Sequence, residues 1–216
     1  MTNNAATGSL NALQPCRPEE TRLFLLRHGE VEGHGEPRYN GQQDVALTSR
    51  GRDHYRQLVE RLKSRPIQAV YSSDLSRCLE GAEMLAAVHG LVPTPLQALR
   101  ELHAGEWEGR PWSELQARYP QEWQSRLDDL VHYRIPGGEN LLDLRQRARS
   151  AVAEITARHK GQEVIVVAHG GINRVLLLDA LDAPLDKVLS LSQFYGCMNI
   201  LDYGAGGRVS VQLING

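Results

Sequence analysis

Two histidines stand just past short, unbroken apolar runs. Leu23-Phe24-Leu25-Leu26 leads into Arg27-His28-Gly29-Glu30, and Val164-Ile165-Val166-Val167-Ala168 leads into His169-Gly170-Gly171. Runs of this kind, without alternation, read as strands buried on both faces, as in a parallel sheet. Ligands of open α/β sheets bind beyond the carboxyl ends of such strands. If the two strands are parallel neighbours, His28 and His169 meet at one sheet edge. Imidazole is the side chain best suited to act as nucleophile, acid or base near neutral pH.

Arg27 adjoins the first histidine. Arg77 falls in the first turn of a helix that follows another short strand, and so faces the same edge. A helix start offers free N–H groups to an anion, and an arginine there adds a planar fork of donors. His169-Gly170-Gly171 opens a further helix. Two histidines, two arginines and two helix starts make a pocket for a compact dianion, of which phosphate is the obvious example. Gly29 is expected to keep side-chain bulk away from that anion.

The elements that position these residues follow from pattern and punctuation. Strands are expected at Arg22–Arg27, Ile67–Tyr71, Leu96–Leu102 and Val164–Ala168, with edge strands at Tyr195–Leu201 and Arg208–Leu213. Thr48 caps a helix to about Lys63, and Ser72-Ser73-Asp74 caps the next. Leu75, Cys78, Leu79, Ala82, Leu85 and Ala86 form that second helix's buried stripe. Leu141–Lys160 is a long helix closed by Gly161, and Gly171–Leu181 is helical. Between His103 and Gly138 the pattern breaks, with three prolines and all three tryptophans, as in an inserted lid. Strands alternating with helices predict an α/β fold: a three-layer α/β/α sandwich with a mainly parallel sheet. Residues 21–216 read as a single domain, and residues 1–20, polar and lacking periodicity, as a disordered tail.

Bulk properties narrow the partners. A net charge of −2 gives no long-range pull toward nucleic acid or anionic membrane. No apolar run is long enough to span a bilayer. Cys16, Cys78 and Cys197 have neither metal-type nor disulfide-framework spacing, which fits a reducing cytoplasm. The expected partner is a small phosphate ester, with no metal and no cofactor.

Leu26-Arg27-His28-Gly29-Glu30 resembles the signature of the histidine phosphatase superfamily, which includes phosphoglycerate mutases. Four further stretches resemble that family in the same order. They are Asn40-Gly41-Gln42-Gln43-Asp44 with Leu47-Thr48 and Gly51; Tyr71 to Arg77; Leu99-Arg100-Glu101 with Gly105 to Gly109; and Pro136 to Glu139 followed by Val167 to Gly171. The resemblance implies that His28 is the nucleophile that becomes phosphohistidine. It implies that Arg27, Arg77 and His169 clamp the phosphate and that Glu101 protonates the leaving alkoxide. Asn40, Gly41 and Gly170 complete the set expected to touch the phosphate. Val31 and His34 depart from the family's usual residues, and His34 is expected to be a solvent-exposed loop residue. Asn140 replaces a serine in a helix cap.

Within the family, the run Glu106-Trp107-Glu108-Gly109 looks like the short-lid phosphatases, especially α-ribazole phosphatase. Glu106 and Glu108 are expected on the lid surface. Trp107, Trp112, Trp123, Tyr119 and Tyr133 crowd the segment that should roof the pocket; most are expected to pack the lid's short helices onto the sheet, and at least one to present a ring face that suits a flat heteroaromatic ester. Arg110, Arg118, Arg126 and Arg134 could supply the cations that a mutase site needs for a carboxylate and a second phosphate, and their spacing suits solvated helix faces equally well. The alternatives are a cofactor-dependent phosphoglycerate mutase and a broad-specificity or sugar-phosphate phosphatase. A phosphate-binding module without catalysis would have lost His28, Arg77 or Glu101, and none is missing.

Overall fold

The computed structural model describes residues 14–216. Residues 1–13 of the expected tail lie outside the described residues. Residues 14–20 are not a free tail. The Gln14 carbonyl accepts from Arg22, the Glu20 carbonyl accepts from the Gly161 N–H, and Glu20 itself is buried.

Six strands form one sheet: β1 (Thr21–Arg27), β2 (Ile67–Ser72), β3 (Thr94–Pro95), β4 (Glu163–Ala168), β5 (Met198–Tyr203) and β6 (Val209–Leu213). Their spatial order is β3-β2-β4-β1-β5-β6. The first four are mutually parallel, and β5 runs antiparallel to both its neighbours. Helices α1 (Ser49–Leu62) and α2 (Ser76–Ala87) cover one face, and α5 (Leu141–Arg158) and α6 (Gly170–Ala180) the other. Side chains alternate between the layers as a pleated strand requires. Leu23, Leu25, Val164 and Val166 pack toward α5 and α6, while Phe24, Leu26, Ile165 and Val167 pack toward α1 and α2.

Local chemistry sets the helix starts. The Gly51 N–H donates to the Thr48 hydroxyl at 2.9 Å, capping α1. Asn140 and Asp143 form a reciprocal capping box on α5, so asparagine serves where serine is usual. The cap expected for α2 is different. Asp74 is committed to a paired contact with Arg100 at 2.6 Å on both oxygens, and the free Ser76 N–H is met instead by Asp44 from the loop after β1.

The strand expected over Leu96–Leu102 is only Thr94–Pro95, followed by a 3₁₀ turn at Gln97–Leu99. Pro93 and Pro95 lack the N–H groups a longer ladder needs, while Leu99 and Leu102 are buried from the turn and loop. The lid carries two short helices, α3 (Trp112–Arg118) and α4 (Pro120–Asp128). No helix among the described residues is long and apolar enough to cross a membrane.

Candidate active site

The β1–β4 pairing places Arg27 opposite Ala168, so the next residue of each chain emerges at the same edge. The main chain continues the ladder there: the His28 N–H donates to the Ala168 carbonyl at 3.0 Å. The two imidazoles meet edge to face with centroids 5.1 Å apart. His28 is 5% exposed and His169 is fully buried.

His28 Nδ1 lies 2.8 Å from the Gly29 carbonyl oxygen. A carbonyl can only accept, so Nδ1 carries the proton and the lone pair of a neutral ring lies on Nε2. Burial, reinforced by the charges of Arg27 and Arg77, pushes the His28 imidazole well below its ordinary range. His169 is pushed the same way by burial, then by Arg77, His28 and Arg27. Both rings are therefore neutral at pH 7. Cys78 packs against His169, with Sγ 3.4 Å from Nε2, and donates to the Ala168 carbonyl.

Arg77 sits on the second residue of α2, 1% exposed. Its Nη1 and Nη2 donate to the carbonyls of Gln43 and Gly41 at 2.6 and 2.7 Å, tying the loop after β1 to the sheet edge. Arg27 donates to the Gln193 carbonyl and lies 4.0 Å over the Tyr195 ring. In both guanidinium groups the Nε–H is buried with no partner. Two orphaned donors beside two neutral imidazoles are what a bound oxyanion would satisfy.

Glu101 enters from the opposite side. Its oxygens accept from the Leu102 N–H at 2.8 Å and the Gly171 N–H at 2.9 Å, so the first turn of α6 holds the carboxyl in place. Gly171 permits that approach: a Cβ there would lie 2.3 Å from Glu101 Oε1.

Arg27, His28, Arg77 and Glu101 line one cavity of about 370 Å³, together with Asn40, Gly41 and Gly170, while His169, fully buried against the His28 ring, does not line it. Gly41 has φ +50°, and a Cβ there would lie 2.5 Å from Glu108 Oε1. Arg174 and Tyr195 also line it and were not singled out from the sequence. Arg174 lies one helical turn beyond Gly170, a spacing that could have flagged it. Tyr195 carries no such signal. Leu102, Leu127, Leu130, Leu141, Trp112 and Trp123 form the apolar wall.

Two expectations need correction, and two open alternatives are resolved. Gly29 is required by packing rather than by the anion: a Cβ there would lie 2.2 Å from the Gly51 carbonyl oxygen of α1. Glu108 is not on the surface. Its Oε1 accepts from the Gln42 N–H at 2.8 Å and the Ala104 N–H at 3.2 Å, pinning lid to loop, whereas Glu106 is exposed. Trp107 is 2% exposed and packs inside the lid with Tyr39, Trp123 and Tyr133, so Trp112 and Trp123 are the indoles that reach the cavity. Arg110 and Arg118 pair with Glu114, and Arg134 with Asp143, but Arg126 is buried at 5% exposure against the cavity. His34 is exposed near Glu30, as expected, and does not line the cavity, while Val31 is a core residue bridged to Leu47.

This fold, with histidines and arginines gathered at one sheet edge, defines an enzyme of the histidine phosphatase type. Residues 23–216 match the family model of the histidine phosphatase superfamily, branch 1, and the chain belongs to that family. It is 34% identical over 196 residues to phosphoglycerate mutase-like protein 4 of Arabidopsis thaliana, covering 88% of this chain and 83% of that one. The native structure of a mycobacterial glucosyl-3-phosphoglycerate phosphatase is 29% identical with a TM-score of 0.81, over 91% of this chain and 99% of its own. The α-ribazole phosphatase of Shigella flexneri shares the fold, with a TM-score of 0.83 over 90% of this chain and 96% of its own, at 23% identity.

Proposed function

We propose that this chain hydrolyses small phosphate monoesters without a metal ion, through a phosphohistidine at His28. One observation carries the reading: two neutral imidazoles 5.1 Å apart lie between two arginines whose buried Nε–H groups have no partner. In the first step His28 Nε2 forms a bond to phosphorus as the ester P–O bond breaks. The departing oxygen takes a proton from the Glu101 carboxyl group, Arg27 and Arg77 neutralise the equatorial oxygens, and the neutral His169 ring offers them a hydrogen bond. In the second step water attacks the phosphohistidine, its proton passes to the Glu101 carboxylate, and inorganic phosphate leaves with His28 restored. The arginines supply the cationic charge that a metal would otherwise bring. Asn40, Gly41 and Gly170 shape the phosphate's surroundings.

The runner-up, a phosphoglycerate mutase, needs lid-side cations for a carboxylate and a second phosphate together. Arg110, Arg118 and Arg134 are committed to lid carboxylates, which leaves Arg126 and an Arg38 already beside Glu36. Of the lid arginines only Arg126 faces the cavity without a carboxylate partner among the described residues, and hydrolysis is the reading adopted. Two classes of ester suit the wall. Trp112 and Trp123 favour a flat heteroaromatic leaving group, as in the α-ribazole 5′-phosphate that the Glu106–Gly109 run brought forward; Arg126 favours one that carries an anion.

The test is turnover of p-nitrophenyl phosphate in excess EDTA. Undiminished activity, inhibited by vanadate as a mimic of five-coordinate phosphorus, is expected. Loss of activity in EDTA that zinc or magnesium restores would overturn the mechanism.

A further inference from the structure

Resting on that phosphatase reading, we propose that Arg147 is the positioning residue for Glu101. Its guanidinium fixes the loop that carries the acid and joins that loop to the base of the lid.

Glu101 sits on irregular backbone. The 3₁₀ turn at Gln97–Leu99 gives way to extended chain at Arg100, so the carbonyls of this stretch enter no sheet ladder. Main-chain oxygens in such a place need donors from elsewhere. Arg147, on α5, supplies them. Its Nη1 donates to the carbonyls of Ala98 and Arg100 at 2.9 and 2.5 Å, and its Nη2 donates to the Glu101 carbonyl at 2.8 Å. The remaining N–H groups go to Glu139, from Nε to Oε1 and from Nη2 to Oε2, both at 2.8 Å. A guanidinium has five N–H groups, and these contacts use all of them. Arg147 does not line the cavity, so no donor is left to bind substrate.

Glu139 carries the connection to the lid. Its Oε2 also accepts from the His103 N–H at 2.9 Å, and its own N–H donates to the His103 carbonyl at 2.9 Å. The two ends of the lid segment are thereby closed on each other. Burial opposes ionisation of Glu139, but the hydrogen bonds from Arg147 and the His103 N–H outweigh it and hold the carboxyl below its ordinary range. The ion pair is therefore charged at neutral pH. The Glu101 carboxyl is held at its tip by the N–H groups of Leu102 and Gly171, and its main chain is held by Arg147. A reacting group on a loop keeps its place only through supports of this kind. Lysine at position 147 would keep the charge, but its three N–H groups radiate from one atom and cannot meet acceptors on both sides.

The test is the ratio of kcat/KM for an alkyl phosphate to that for p-nitrophenyl phosphate, measured on the full chain. Arg147→Lys should lower the alkyl ester by about 10- to 100-fold, as a displaced acid implies, and the nitrophenyl ester by less than about 3-fold, since its leaving group needs little protonation. An arginine that only stabilises the fold would depress both esters alike. The ratio is read on one protein, so a partly unfolded population cancels. Glu139→Gln, which loosens the same fork, should move the ratio in the same direction and serves if Arg147→Lys does not fold. Glu101→Gln is the reference and should move the ratio furthest. A ratio unmoved by the Arg147 and Glu139 variants but moved by Glu101→Gln would overturn the positioning role and leave the acid in place. A ratio unmoved by Glu101→Gln would overturn the acid assignment and this inference with it.

Discussion

Replacing Gly171 with alanine isolates the role proposed for Glu101 without touching that residue. The new Cβ would lie 2.3 Å from Glu101 Oε1, and the Gly171 N–H also holds Oε2 at 2.9 Å. Ordinary contact needs about 3.3 Å or more, so the carboxyl must retreat by roughly 1 Å. A displacement of that size from a reacting group costs on the order of 100-fold in rate, about 2.7 kcal/mol. Stability runs the other way, since alanine in a helix is favoured over glycine by up to about 1 kcal/mol. Tm should therefore stay level or rise while catalysis falls. The assay compares kcat/KM, which reports the first phosphoryl transfer, for an alkyl phosphate and for p-nitrophenyl phosphate. The alkyl ester, whose leaving group needs a proton, should lose about 100-fold, and the nitrophenyl ester less than about 10-fold. Equal losses on both esters, or a Tm lowered by many degrees, would refute the reasoning and mark Glu101 as a structural anchor.

Further outcomes follow from the same geometry. Arg77→Lys leaves a single ammonium where two Nη groups hold the carbonyls of Gln43 and Gly41, so kcat/KM should fall by about 100-fold or more with a raised KM; a loss under 10-fold would contradict the clamp. Both histidines are buried neutral, with pKa values lowered chiefly by burial. The unfolded chain takes up those protons near pH 6.5 while the native state does not, so stability should fall as pH drops below that value. The loss is at most about 1.4 kcal/mol per pH unit for each histidine. Urea melts between pH 7.5 and 5.5 should show this, with a smaller pH effect in His28→Gln; an identical effect would show that His28 does not titrate as described.

Much of the site was legible because its residues lie where apolar runs stop. The β1 and β4 runs are read without ambiguity, and parallel pairing brings His28 and His169 together as a matter of geometry. Arg77 was legible from its helix start and Glu101 from its motif. The sequence leaves Arg126 open between a pocket cation and a solvated helix face, since a buried arginine and a solvated one have the same helical spacing, and only the packing of Tyr39 and the Leu130 carbonyl separates them. Glu108 was missed for a related reason: its partners, Gln42 and Ala104, are loop backbone groups that carry no sequence signal. The strand expected over Leu96–Leu102 failed because buried leucines in a turn and in a strand leave the same trace.

The central claim is that His28 is phosphorylated during turnover. Its most direct test is rapid mixing of the chain with excess p-nitrophenyl phosphate, an alkaline quench and mass mapping of the peptides. A phosphoryl group on the peptide carrying His28, stable in base and lost in acid as a phosphoramidate is, is the predicted result. Phosphate on a different residue, or full turnover by His28→Ala, would contradict the account.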